Sequence, residues 1–179
     1  MTTLFKCTFL VAFVISPFIA YQLAAYLIFC SGGSSIVAWC MNFPPSIYSH
    51  VQSTYWNVGF LRYWTLAQIP NFLIAAPPII VILAFASSIL SKMTSKTIQS
   101  NYSPSLTPHA IHAVVFTFIL LFASHTQIIL RLAASMPFTY WAAAWTYMKY
   151  PTYGTAWVTW SVLWGFISVI LWGTFLPPA

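Results

Sequence analysis

Aspartate and glutamate are absent from all 179 residues, and lysine and arginine together number 6, so charged residues make up only 3% of the chain. A soluble domain of this length carries roughly 45 charged side chains, about a quarter of its residues. Water solubility is thereby excluded. The missing carboxylates also exclude, within this chain, a carboxylate general base, a carboxylate nucleophile and a hard-metal site built on charged oxygens. Glycine is scarce at 6 and cysteine at 3, which removes collagen-like and disulfide-dense frameworks. Disorder is excluded in turn by a hydrophobic share of 60%.

What is there is apolar and aromatic. Aromatic residues reach 19%, and the formal charge is +6 with the cations scattered singly. That scatter is not a nucleic-acid footprint, which needs a basic patch, but it suits contact with lipid headgroups. The composition describes one all-α, polytopic, membrane-embedded domain. A transmembrane helix needs about 20 mostly apolar residues to cross about 30 Å of hydrocarbon. Four spans of that length are expected at about 8–29, 70–90, 109–130 and 156–176. The first carries Pro17 as a kink, and the second carries Pro77 and Pro78, which should bend or split it. The fourth follows a turn signal at Pro151–Gly154. The stretch 133–148 is apolar but short and broken by Pro137, and reads as a re-entrant or interfacial helix.

With four spans, Lys6, Lys92 and Lys96 fall on one side and Arg62, Arg131 and Lys149 on the other, so the positive-inside rule returns a tie. The polar connector Ser91–Pro108 holds an Asn101-Tyr102-Ser103 triplet that fits a glycosylation acceptor if the loop is lumenal. Lys6 and the apolar run after it read as a retained anchor, because the run is too long for a signal peptide and no small-residue cleavage site ends it.

The segment Ser31–Ile69 is long and unusually aromatic. On a wheel of about 100° per residue, Tyr63, Trp56, Phe60, Trp64 and Leu61 share one side of a helix over 47–65, and Thr65, Arg62, Tyr55 and Gln52 the other. Two readings stand for this interfacial helix. One is an aromatic belt with Arg62 reaching a headgroup. The other is a substrate platform, since a sugar stacks on Trp or Tyr and bonds to Gln, Asn or Tyr, while a lipid phosphate takes a guanidinium fork. Gln52, Tyr55, Trp56, Asn57 and Arg62 make up that set.

His109 and His112 share a helix face without a third metal ligand, so no metal site is expected. His125, with Ser124, Thr126 and Gln127, should face protein and bond between helices. Arg131 is either a snorkelling end-charge or a contact for a polyprenyl phosphate. Cys30 and Cys40 can bridge if their loop is lumenal, leaving Cys7 unpaired. In the last span Trp157, Trp160, Trp164 and Trp172 fall within one arc with Ser161, Gly165 and Ser168, a notch for another helix or a lipid chain.

Three stretches look familiar together. They are Pro44-Pro45-Ser46-Ile47-Tyr48 with Val51-Gln52, then Tyr55-Trp56-Asn57-Val58-Gly59-Phe60-Leu61-Arg62-Tyr63-Trp64, then Gln68-Ile69-Pro70-Asn71-Phe72. They resemble the GPI mannosyltransferase 2 family, phosphatidylinositol-glycan class V. The later run His125-Thr126-Gln127-Ile128-Ile129-Leu130-Arg131, Pro137-Phe138-Thr139-Tyr140-Trp141 and the terminal Phe175-Leu176-Pro177-Pro178-Ala179 are similar as well.

The resemblance implies a multi-pass protein of the endoplasmic reticulum membrane with GT-C type architecture. It implies transfer of the second mannose from dolichyl-phosphate mannose to the GPI precursor in the lumen, without a cofactor. It further implies a C-terminal part whose acidic catalytic candidates belong to a preceding half, so that the chain alone should not restore GPI anchoring. A non-catalytic membrane scaffold or assembly subunit is the competing expectation, and an accessory membrane subunit is a possible partner in either case.

Overall fold

The computed structural model describes residues 2–31, 37–94 and 104–174. Lys96, the Asn101-Tyr102-Ser103 triplet and the terminal Phe175-Leu176-Pro177-Pro178-Ala179 lie outside the described residues. All regular structure among the described residues is helical, as the composition requires. The chain divides into two units, Met1–Val58 and Gly59–Ala179.

In the first unit, α1 (Thr2–Phe29) is a 28-residue helix with Pro17 inside it. It is apolar on every side and exposed along almost its whole length, the state of a helix that meets lipid. A disulfide joins Cys30 to Cys40 with the Cα atoms 5.7 Å apart, beside a 3-10 turn at Ala38–Met41 that buries Trp39. The helix α2 (Ile47–Tyr55) starts at Ser46, whose hydroxyl accepts the Ser49 N–H at 3.2 Å and satisfies one orphan donor of the first turn. Against α1, Tyr48 sits edge-on to Phe18 at 5.7 Å and donates its N–H to Gln22 Oε1 at 3.5 Å.

The interfacial helix expected over 47–65 stops at Tyr55. Asn57 takes the left-handed conformation at φ 52, a helix-ending geometry that Asn tolerates, and the Val58 N–H bonds back to the Gln52 carbonyl at 2.9 Å. Leu61 is also left-handed, at φ 58, so the backbone turns twice where a wheel assumes continuous helix.

In the second unit, α3 (Ile69–Thr94) runs through Pro77 and Pro78 without a break and forms the central element. α4 (Thr107–Ala123) packs against it, its last residue seven short of the Leu130 expected from hydropathy. The chain bends at Ser124 and His125, makes a 3-10 turn at Thr126–Ile128, and continues as α5 (Ile129–Ser135). Met136 is extended, and Pro137 then occupies the first turn of α6 (Pro137–Lys149), where its missing N–H costs nothing. The last helix, α7 (Pro151–Gly173), begins at Pro151 rather than near 156, so the expected turn is helical. Gly154 is required there because a Cβ would lie 2.3 Å from Tyr147 Cα on α6.

The core is made by small residues that let helices approach: Ala75, Ala86, Ala110, Ala113 and Ala142 are fully buried with Ile82 and Ile129. The stretch 133–148, expected to break at Pro137, is two helices parted at Met136, with α6 packed on α3 through Phe85, which meets Phe138 at 5.1 Å and Trp145 at 5.5 Å. Among the described residues, three helices are long and apolar enough to cross a membrane, α1, α3 with its preceding turn, and α7; α4 is an apolar helix of 17 residues.

The path of α6 also changes the placement of charge. Lys149 lines the same groove as Ser87 and Ser88, one turn before Lys92, so these two lysines share an end of the second unit. The four-span reading put them on opposite sides because it did not count α6 as a return of the chain along α3.

Candidate functional site

The site is built around the break after α4. A helix that ends inside an apolar unit leaves carbonyls without partners. Two of them, from Leu121 and Phe122, accept the Trp64 indole N–H at 2.8 Å and the Leu61 backbone N–H at 2.7 Å. The left-handed turn at Leu61 belongs to the segment that delivers these donors. Trp64 also stacks on Phe122, with centroids 5.4 Å apart and planes 7° off parallel, and meets Phe72 at 5.1 Å.

Next to it, Tyr63 is buried and stacks on His125 at 4.6 Å. Its hydroxyl donates to Gln127 Oε1 at 3.2 Å and accepts from Asn71 Nδ2 at 2.9 Å, and Asn71 Nδ2 also bonds to Gln68 Oε1. This chain of amides and phenol ties the turn before α3 to the break after α4. Burial pushes the Tyr63 phenol above its ordinary value, and the Asn71 hydrogen bond offsets that only in part. The phenol therefore stays neutral near pH 7 and serves as a donor, not a base. His125 faces protein, stacked on the Tyr63 ring.

The sequence-selected residues are distributed as follows. Gln52, Tyr55, Trp56 and Asn57 end α2 in the first unit. Tyr55 and Trp56 are exposed and Gln52 is half-buried. Arg62 belongs to the second unit, and its exposed side chain folds over Gly59, where an added Cβ would meet its Cδ at 2.7 Å. His109 stands edge-on to Trp141 and His112 stacks on Phe116. No cluster of three or more metal-ligating side chains occurs among the described residues.

Arg131 lies on α5 and opens on a groove of about 550 Å3 between α5, α6 and α7. The far wall of that groove is the tryptophan arc of α7, Trp157, Trp160, Trp164 and Trp172, with Ser161, Gly165 and Ser168 between the rings. The notch and the cation that sequence reading treated separately thus line one cavity. Gly165 leaves open space, since a Cβ there would meet nothing within 4 Å. Thr139 also lines the groove, and its buried hydroxyl has no partner among the described residues. An apolar cleft with one guanidinium and one unused hydroxyl can take a long hydrocarbon bearing an anionic oxygen-rich group.

Sequence reasoning missed Thr139, and it missed Gln68 and Asn71 as members of the amide network. The available signal for Asn71 was an amide at the start of an apolar run, because a polar group at that depth needs a protein partner.

The family model described as "Mannosyltransferase (PIG-V)" matches residues 1–179. GPI mannosyltransferase 2 of Cryptococcus neoformans var. neoformans serotype D is 32% identical over 191 residues, covering 93% of this chain and 45% of that protein. The Schizosaccharomyces pombe protein of the same name is 38% identical over 175 residues, with 93% and 35% covered. That of Yarrowia lipolytica is 37% identical over 163 residues, with 90% and 40% covered. The chain thus spans less than half the length of these curated relatives. No solved structure matches.

Proposed function

The chain belongs to the PIG-V mannosyltransferase family, and from that premise we propose that it acts in GPI-anchor assembly, in the transfer of the second mannose from dolichyl-phosphate mannose to the GPI precursor in the lumen of the endoplasmic reticulum. The single observation that carries this reading is the groove in which Arg131 meets the tryptophan arc of α7. A donor of this class is a long isoprenoid ending in a phosphate that becomes the leaving group. The α7 rings and the small residues between them offer the isoprenoid an apolar wall. Arg131 offers the phosphate a guanidinium, and the Thr139 hydroxyl offers one further donor.

Transfer leaves negative charge on the departing phosphate, so a cation held at that place favours the transition state. The Tyr63 network supports the groove by fixing the bend from which α5 and Arg131 start. In the first unit Gln52, Tyr55, Trp56 and Asn57 are proposed as sugar contacts, the exposed rings for a pyranose face and the amides for its hydroxyl rim, and in the second unit Arg62 is proposed as a substrate contact in its own right. The Cys30–Cys40 bond supports placing the loop after α1 in an oxidising lumen. The bases and acids of the reaction are not drawn from carboxylates of this chain, which has none.

The test is made in cells producing the protein from its own locus. Arg131→Ala is expected to cut mannosyl transfer from dolichyl-phosphate mannose by about tenfold or more, the loss of charge-assisted bonds to a phosphate. The single-mannose GPI precursor should accumulate while the protein level is unchanged, and Arg131→Lys should restore part of the rate. Wild-type transfer by Arg131→Ala would remove the groove from the reaction.

A further inference from the structure

A second groove, of about 770 Å3, lies between the C-terminal half of α3, the end of α6 and the start of α7. It shares Trp157 and Trp160 with the groove at Arg131 but opens on a different cation, Lys149. Its polar wall residues are turned to their own helices: Ser87 donates to the Ala84 carbonyl at 2.9 Å, Ser88 to the Phe85 carbonyl at 2.8 Å, and Thr146 to the Ala142 carbonyl at 2.8 Å. What the groove offers an occupant is therefore hydrocarbon, Trp145, Trp157 and Trp160 above all. The one charged residue on its wall is Lys149, whose Nζ lies 5.2 Å from the ring centroids of both Trp145 and Tyr150. A cation between two amphipathic rings at the rim of an apolar groove is the arrangement of a headgroup contact.

The geometry points to a binding site for one anionic glycerophospholipid of the surrounding bilayer, an acyl chain along α3 and α7 and the phosphate on Lys149. Charge complementarity favours that occupant. The chain has no carboxylate side chain anywhere, so an anion for Lys149 has to come from outside its side chains. The other groove decides the source. The donor phosphate is assigned there, to Arg131, so the anion left for Lys149 is the phosphate of a phospholipid of the surrounding bilayer. The lipid would act as a staple, filling the cleft where α7 leaves α6 and holding both against α3.

The test uses the full chain purified from nanodiscs of phosphatidylcholine containing a minor fraction of phosphatidylinositol, with retained lipids counted by native mass spectrometry. About one phosphatidylinositol per chain is expected to be enriched over phosphatidylcholine. Lys149→Ala should lower that retention about fivefold, the worth of one cation near a membrane surface, and Lys149→Arg should keep it. Lys92→Ala should leave it unchanged. A second variant, Ala84→Phe, narrows the groove without touching the charge and should reduce retention while leaving headgroup preference intact. Four outcomes would overturn the proposal: equal retention of both lipids, retention indifferent to Lys149→Ala and Ala84→Phe alike, displacement of phosphatidylinositol by a polyprenyl phosphate, or a second chain in place of lipid.

Discussion

Replacing Tyr63 by Phe removes one oxygen from the centre of the clamp and leaves its ring in place. That oxygen donates to Gln127 at 3.2 Å and accepts from Asn71 at 2.9 Å. Asn71 keeps Gln68 as a partner, but Gln127 Oε1 loses a donor within a half-buried setting. Two hydrogen bonds at about 1 kcal/mol each give a destabilisation of about 2 kcal/mol. For a chain of this size that corresponds to a fall in Tm of about 4–8 °C. The ring contacts with His125 and Phe72 persist, so the change isolates the hydroxyl.

The assay is thermal unfolding of purified protein in detergent, followed by tryptophan emission, for Tyr63→Phe, Gln127→Leu and the double variant. The double-mutant cycle should show a coupling of about 1 kcal/mol, because the partners share a bond. A Tm for Tyr63→Phe equal to that of the unaltered protein, with no coupling to Gln127, would refute the claim that this network ties the turn to the helix break.

Alkaline pH probes the same phenol. Its folded value is raised above 10.0, so the folded protein holds this proton longer than the unfolded chain does. Stability from this group is then constant below about pH 10 and is lost as pH rises through the folded value; melting curves at pH 8 and above pH 10 should converge for Tyr63→Phe relative to the unaltered protein. Gly154→Ala places a methyl within 2.3 Å of Tyr147 Cα, so α6 and α7 must part; a loss of at least 1–3 kcal/mol is expected, read as a lower Tm or reduced yield. The Cys30–Cys40 bridge closes a loop with a sequence separation of 10 and should stabilise the first unit by about 2–3 kcal/mol. In intact microsomes without reductant, a thiol probe should label Cys7 alone, and labelling of Cys30 would contradict the bridge.

The parts of the fold carried by composition were legible. Long apolar runs mark α1, α3 and α7, and the tryptophan arc and Arg131 could be picked out before their common groove was known. The breaks were not legible, for a physical reason. Hydropathy is continuous from 109 to 130, while the end of α4 depends on carbonyls satisfied by Trp64 and Leu61, residues about 60 positions earlier. A helical wheel over 47–65 has no access to φ, so the left-handed residues Asn57 and Leu61 were invisible to it. Tyr63 accordingly points inward, whereas the wheel grouped it with the exposed Trp56 and Phe60. The course of α6 was not legible either, because its 13 residues are too few to count as a span by length.

The groove at Arg131 is tested most directly by photocrosslinking. A diazirine-bearing dolichyl phosphate is added to membranes containing the protein, and the labelled peptides are mapped by mass spectrometry. Label is expected on the segments 130–143 and 157–172, and it should fall sharply in Gly165→Trp, which fills the open space on α7 without a backbone clash. Label concentrated elsewhere, or unchanged by Gly165→Trp, would contradict the account.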